Sequence, residues 1–386
     1  MTTLSPAELD RSHREIQSLA REFAQGEIAP HAAEWGAAKH VPVDVLRRMG
    51  ELGFLGVIIP EEYGGAGLDY VCLALVMEEI AAADAGTSAG LAVQNSLGAT
   101  PIVRHGSEEQ KREHLPPLAS GEWMAAYALS EPDAGSDAAA LRTAAHRDGD
   151  DWVVSGAKMW ITNGGFADLF VLFARTGGEG SRGVSAFLTR PGPGLHVGKE
   201  IPKMGLHTSS TVELAFDGHR VPADRMLGAE GEGLRIALST LDSGRIVVAA
   251  QACGIARAAL EAAVAYAGER RAFGGPIARF QGVQFPIADV AARLDAARLL
   301  TLHAARLRDA GEPHTAAGAK AKLFASQVAV EAADACVQAM GGYGYSAEMP
   351  AERFYRDAKI TQIYEGTSEI QRLVIARDLW GDAARG

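Results

Sequence analysis

The sequence predicts an α+β protein that is helical at both ends and β in the middle. Three observations support this. Apolar residues recur at helical spacing from about Pro6 to Leu118 and again from Gly233 to Trp380. Short β-branched and aromatic runs, broken by Gly, Pro and Asp, fill the stretch between them. The 386 residues are 47% apolar and 22% charged, enough to bury two or three packed units of one subunit. The divisions fall at residues 1–120, 121–231 and 232–386.

In the first unit, Val71, Leu75, Val76 and Ile80 share one helical face. The run Pro60-Glu61-Glu62-Tyr63-Gly64-Gly65-Ala66-Gly67 breaks the pattern as a loop, since Gly takes backbone shapes other residues resist. In the middle unit, Trp152–Gly156, Leu169–Ala174 and Val184–Leu188 read as strands of a compact, mostly antiparallel sheet. In the last unit, Gly233–Arg271, Pro286–Asp309 and Thr315–Met340 carry long apolar stripes that end at Gly311-Glu312-Pro313 and Gly341-Gly342. Three or four such helices with short connections make a bundle.

Composition excludes several function classes. A net charge of −11 argues against sequence-independent nucleic-acid binding. Cys72, Cys253 and Cys336 are far apart, and the eleven histidines form no close ligand pair, so neither a disulfide framework nor a metal site is expected. Met1–Arg21 lacks an apolar signal core, and no uninterrupted apolar stretch approaches the roughly 20 residues that span a bilayer. The expectation is a bacterial-type cytoplasmic protein without a membrane segment. Gly228-Ala229-Glu230-Gly231-Glu232-Gly233 is Gly-rich before a helix, but no strand–turn–helix unit frames it and its acids would repel a pyrophosphate. It reads as a junction turn.

The most informative segment is Ile363-Tyr364-Glu365-Gly366-Thr367-Ser368-Glu369-Ile370-Gln371-Arg372. Thr or Ser there should cap a helix, leaving Glu365 just outside its start, behind Ile360, Ile363 and Tyr364. By spacing alone this is an exposed loop acid before a capped helix. In apolar surroundings, however, the carboxyl's pKa rises and it can take a proton from carbon near neutral pH. The segment resembles the catalytic-base segment of acyl-CoA dehydrogenases, and motifs of that family run from about Glu61 to Arg377.

Tyr127-Ala128-Leu129-Ser130-Glu131-Pro132-Asp133-Ala134-Gly135-Ser136-Asp137 is similar to the family's first signature. Lys158-Met159-Trp160-Ile161-Thr162-Asn163-Gly164 is similar to its second flavin segment. Asp242-Ser243-Gly244-Arg245 resembles a CoA-contacting motif, read as opening the first bundle helix. Arg270-Arg271-Ala272-Phe273-Gly274 with Gln281 resembles the pyrophosphate turn, Arg being suited to phosphate through its planar fork. Gln338-Ala339-Met340-Gly341-Gly342-Tyr343-Gly344-Tyr345 resembles the second signature.

The resemblance implies a helical domain, a barrel-like antiparallel β domain and a four-helix bundle, with FAD as cofactor. It implies Glu365 as the catalytic base. Implied flavin contacts are Tyr127, Leu129, Ser130, Ser136, Trp160, Ile161, Thr162, Arg270, Phe273, Gln281, Gln338, Met340, Gly341, Gly342, Thr367, Ser368 and Glu369. Implied acyl-CoA contacts are Ser136, Asp242, Ser243, Gly244, Arg245 and Gly366. A homotetramer sharing each FAD site between subunits, and an electron-transferring flavoprotein as acceptor, are implied likewise. Asn95-Ser96-Leu97, Asp242–Arg245 and Glu348–Arg377 resemble short-chain members most, pointing to butyryl-CoA or a short branched acyl-CoA. An oxidase of the same fold, a carrier-protein-linked dehydrogenase and a non-catalytic acyl-CoA binder are the alternatives.

Overall fold

The computed structural model describes residues 9–384. The N-terminal helices are α1 (Arg11–Phe23), α2 (Ala32–Ala38), α3 (Val43–Glu51), α4 (Tyr70–Ala83), α5 (Ala85–Ala92), α6 (Thr100–His105) and α7 (Glu108–Ser120). Side chains of Asp10, Asp69, Asp84 and Ser107 accept backbone N–H groups at the starts of α1, α4, α5 and α7, which fixes where those helices begin. Between α5 and α6 the chain is π-helical over Val93–Ala99. There the buried Gln94 takes the Ala125 N–H and donates to the Leu118 and Trp123 carbonyls, tying the helical unit to the first strand.

The strands are β1 (Ala125–Ala128), β2 (Ala144–Asp148), β3 (Asp151–Thr162), β4 (Leu169–Arg175), β5 (Val184–Thr189), β6 (Leu195–Glu200), β7 (Thr211–Pro222) and β8 (Met226–Leu227). They run in the order β6-β7-β3-β2-β4-β5-β8, with β1 beside β4. Pairing is antiparallel except that β1, and one residue pair of β2, join β4 in parallel. The sheet curls over its own apolar core: Trp152 of β3 meets Phe187 of β5 edge-on at 5.7 Å, packed with Val212, Leu214 and Val221 of β7.

The C-terminal part comprises α8 (Gly233–Glu269), the hairpin β9 (Arg271–Ala272) and β10 (Gly275–Pro276), then α9 (Gln281–Asp309), α10 (Thr315–Met340), α11 (Ala351–Ile360) and α12 (Ser368–Trp380). The helices α8, α9 and α10 pack side by side, α12 lies along α10, and α4 crosses onto α8 and α9. At that crossing Gly254 lets α8 approach closely, for a Cβ there would lie 2.4 Å from the Glu78 carbonyl oxygen. Glu78 and Glu79 of α4 are buried and ion-paired. Arg298 of α9 reaches Glu78 at 2.9 Å, while Arg257 of α8 and Arg21 of α1 reach Glu79 at 2.6 and 2.8 Å. Four helices are thereby joined by charge inside an apolar core.

Two helix starts differ from the sequence reading. The Asp242–Arg245 motif does not open α8 but spans its third and fourth turns, because nothing from Gly233 onward breaks the helix. Similarly, α9 begins at Gln281 and contains Pro286; the carbonyl that proline leaves without a helical donor, at Gly282, is on an exposed residue where water can serve it. The α8 helix also has an 18-residue window of mean hydropathy 1.5, long and apolar enough to cross a membrane. As 89% of that window is buried inside the protein, its composition is that of a core helix.

Candidate active site

Thr367 caps α12, its Oγ1 accepting the Ile370 N–H at 3.4 Å. The capped helix places the preceding residues in a tight turn, with Glu365 at φ 51° and Gly366 at φ 94°. Left-handed backbone is strained for Glu, and it aims the side chain inward. The carboxylate lands on α8 where Gly244 leaves room: a Cβ there would lie 2.0 Å from Glu365 Oε2. Oε2 is buried and has no hydrogen-bond partner among the described residues. Burial pushes the carboxyl up to about 7 against the opposing pull of Lys322 and Arg245.

The apolar shielding differs from that expected in one respect. Ile363 is 48% exposed and turned away, because the left-handed turn reverses the chain just after it. Tyr364 is turned inward, its hydroxyl donating to Gln251 Oε1 of α8. From the sheet side, Tyr127 donates to the Ala237 carbonyl at 3.3 Å, and the field of Glu365 helps to raise its phenol.

The neighbouring α8 motif is held by its own contacts. Arg245 is buried and donates to Asp242 Oδ1 at 2.6 Å, while Thr315 occupies Asp242 Oδ2 at 2.8 Å. Ser243, on another face of the helix, accepts from Arg308 Nε at 3.1 Å.

The two segments assigned to flavin meet in the sheet. The Met159 N–H donates to the Ser130 carbonyl at 2.9 Å. Lys158, fully buried, donates to Leu129 O at 3.1 Å and to Glu131 Oε1 at 2.8 Å. Glu131 also takes the Arg142 and Thr143 N–H groups at 2.6 and 2.9 Å. Immediately after Lys158 the β3–β7 register slips, and Trp160 sits there at φ 65°. The bulge turns the indole outward, 57% exposed, beside the half-buried Thr162, whereas the Ile161 side chain points into the sheet core. Ser136 is exposed on the following loop.

A second group lies far along α8. Arg270 ends that helix and, with Gln338, Met340, Gly341 and Gly342, lines a pocket of about 520 Å³, its guanidinium 5.7 Å over the Tyr343 ring. Phe273 is outside this pocket at the hairpin tip, 89% exposed, and Gln281 is exposed at the start of α9. The 25 residues from Arg245 to Arg270 correspond to about 38 Å of helix. The structure thus gathers Glu365, Gly366, Gly244, Arg245 and Tyr127 in one place and Arg270 with residues 338–342 in another. An uncovered indole beside a hydroxyl, and a cation facing helix-end glycines, fit a flavin ring and a pyrophosphate respectively.

Sequence reasoning missed Lys322, Gln371, Gln251 and the Lys158–Glu131 pair. One signal was available. Lys322 stands in line with Gly318, Ala325 and Ala329 on the small-residue face of α10, an unusual place for a charge.

Profiles described as the N-terminal, middle and C-terminal domains of acyl-CoA dehydrogenase match residues 10–122, 126–219 and 231–380. The bovine mitochondrial short-chain specific acyl-CoA dehydrogenase is 48% identical over 380 residues, covering 98% of this chain and 92% of that protein. The butyryl-CoA dehydrogenase of Megasphaera elsdenii superposes with a TM-score of 0.94 at 42% identity, over 98% of this chain and 100% of that one. A Mycobacterium smegmatis glutaryl-CoA dehydrogenase in complex with FADH2 superposes at 0.93 with 36% identity, over 99% and 98% of the two chains. The chain belongs to the acyl-CoA dehydrogenases, a family of FAD-dependent oxidoreductases.

Proposed function

We propose that this protein dehydrogenates a short-chain acyl-CoA thioester to the trans-2-enoyl-CoA, with Glu365 as the base. The observation that carries this is the Glu365 carboxylate, enclosed against Gly244 with Oε2 unpartnered and its ionisation raised to about 7. A base of that strength takes a proton from the α-carbon near neutral pH, and an unpartnered oxygen breaks no hydrogen bond to do so. What FAD supplies when bound is acceptance of the β-hydrogen as hydride, which no side chain provides. The Glu365 N–H serves as a donor to the thioester oxygen while negative charge gathers there. The buried Tyr127 and Arg245, with the half-buried Tyr364, shield the carboxylate from water.

Trp160 and Thr162 hold the flavin ring, and Arg270 with Gln338–Gly342 binds the pyrophosphate end of a cofactor in a neighbouring subunit. The hydride acceptor has to lie beside Glu365, and about 38 Å of α8 separates Arg245 there from Arg270, which supports that division. Electrons pass to an electron-transferring flavoprotein. The short-chain assignment rests on the bovine and Megasphaera relatives.

The test is anaerobic addition of butyryl-CoA to the purified holoenzyme and to its Glu365→Gln variant, followed by visible spectroscopy. The wild type should bleach promptly, and the variant should keep its flavin bands unbleached. Bleaching of the variant at the wild-type rate would remove Glu365 as the base. A wild type that stays colourless after incubation with FAD would sink the enzymatic reading.

A further inference from the structure

Lys322 is fully buried in α10, and among the described residues it forms no ion pair. Its ammonium donates to the Gly366 carbonyl at 2.7 Å. Gln371, from the first turn of α12, donates to the same oxygen at 2.8 Å. Two donors from two helices therefore converge on the carbonyl that follows the base. The loop they hold contains two successive left-handed residues, Glu365 and Gly366, a shape that relaxes unless its surroundings enforce it. If the Gly366 carbonyl swung away, a buried ammonium would lose its acceptor, which is penalised heavily.

We propose that Lys322 is a positioning residue for the dehydrogenation: through the Gly366 carbonyl it holds the Glu365 loop in its left-handed shape, and its buried charge favours the ionised, proton-accepting carboxylate. This rests on Glu365 being the base.

The other groups facing Glu365 leave that role to Lys322. Arg245 of α8 also favours the carboxylate, but it is already paired with Asp242 at 2.6 Å. Tyr127 of β1 and Tyr364 of the loop are neutral phenols whose ionisation is raised by burial. Glu369 of α12 is exposed and acts on Lys322 more weakly than Glu365 does. Burial pushes Lys322 down to about 8 and Glu365 up to about 7, and each group favours the charged form of the other.

The test separates the hydrogen bond from the charge. Lys322→Gln keeps a donor for the carbonyl and loses the charge, Lys322→Met loses both, and Gln371→Leu loses the second donor, which also reaches the Glu365 carbonyl at 3.4 Å, but no charge. In each holoenzyme, the anaerobic rate of flavin reduction by butyryl-CoA is followed against pH. For Lys322→Gln the acid limb should move up by roughly one pH unit, about tenfold in rate on that limb, with the plateau within a few-fold of wild type. Lys322→Met should show the same move plus a plateau at least about tenfold lower. Gln371→Leu should lower the plateau without moving the limb. Infrared titration of the protonated Glu365 carboxyl band, identified by its loss in Glu365→Gln, should move in step in Lys322→Gln.

An unmoved limb and carboxyl band in Lys322→Gln would overturn the role of the charge. A wild-type plateau in Lys322→Met would overturn the role of the clamp. Should Lys322→Met fail to fold, Lys322→Gln against Gln371→Leu decides: equal displacement of the limb in both overturns the proposal. Retained reduction in Glu365→Gln would instead fault the base assignment, a separate outcome.

Discussion

Replacing Lys158 with Met should unfasten the part of the sheet proposed to hold the flavin. The ammonium is fully buried and is the only side-chain cation within 4.0 Å of Glu131, itself 7% exposed, among the described residues. The Arg142 and Thr143 N–H groups remain after substitution, so the carboxylate keeps two donors but loses its compensating charge. Breaking a buried pair by removing one partner costs about 3–5 kcal/mol, and the two surviving hydrogen bonds place this case near 3 kcal/mol, or roughly a hundredfold in the folding equilibrium. Loss of the tie between Leu129 and Lys158 should also loosen the Tyr127–Ser136 loop, so FAD should dissociate faster. The assay is urea unfolding of Lys158→Met, Glu131→Gln and the double variant, with flavin fluorescence reporting release. The double variant should be more stable than Lys158→Met, because the stranded charge is gone. Glu131 is held below its ordinary carboxylate value, so its contribution is present above that value and is lost as pH falls through the folded pKa. In Lys158→Met the acid transition should therefore move to higher pH. A cost below about 1 kcal/mol, or a double variant worse than the sum of the singles, would refute this account of the pair.

Other consequences are equally testable. The rate of flavin reduction in the wild type should fall as pH drops below about 7, since a protonated Glu365 cannot accept the α-proton; a rate flat to pH 5 would contradict this. Asp357 is buried near Asp84, which helps to lift it to about 7 from an ordinary 3.8. Between those values the folded protein holds a proton that the unfolded chain has released, so this group's effect on stability worsens as pH rises. Asp357→Asn keeps an acceptor for the Leu206 N–H and should stabilise the protein at pH 8 by on the order of 2 kcal/mol, with little effect at pH 4, in thermal or urea unfolding. At Gly233 a Cβ would lie 2.4 Å from the Ser185 backbone carbon, so Gly233→Ala should cost about 1–3 kcal/mol by prising α8 from β5, as read by urea unfolding.

Much of this architecture is legible in the residues, and the exceptions have physical reasons. Thr315–Met340 is bounded by loop chemistry and emerges as the helix α10 with those ends, and the Gly366-Thr367-Ser368 turn does cap α12. The parallel pairing of β1 with β4 leaves no local mark, because Ala125–Ala128 takes its place from Gln94 and from a strand some forty residues away. Left-handed backbone at Trp160 and Glu365 is invisible for the opposite reason: local preference disfavours it, and tertiary contacts impose it. The same holds for Lys158 and Lys322. A lysine is by habit a surface residue, and only the partner brought by the fold, Glu131 or the Gly366 carbonyl, explains its burial.

The long helix α8 carries a further consequence, for which changes in length the chain can accept. Within one unbroken helix, Ala237 receives Tyr127 from the sheet, Gly244 receives Glu365, and Arg257 enters the ion cluster on α4. An added or deleted residue turns everything beyond it by about 100° and shifts it about 1.5 Å. One insertion between Ala237 and Gly244 would swing the glycine from under the carboxylate and put a side chain in its place. Insertions should therefore be excluded from residues 237–257 and tolerated better in exposed turns such as 177–180, whose hydrogen bonds, from Arg175 to the Gly178 and Gly180 carbonyls, stay within the hairpin.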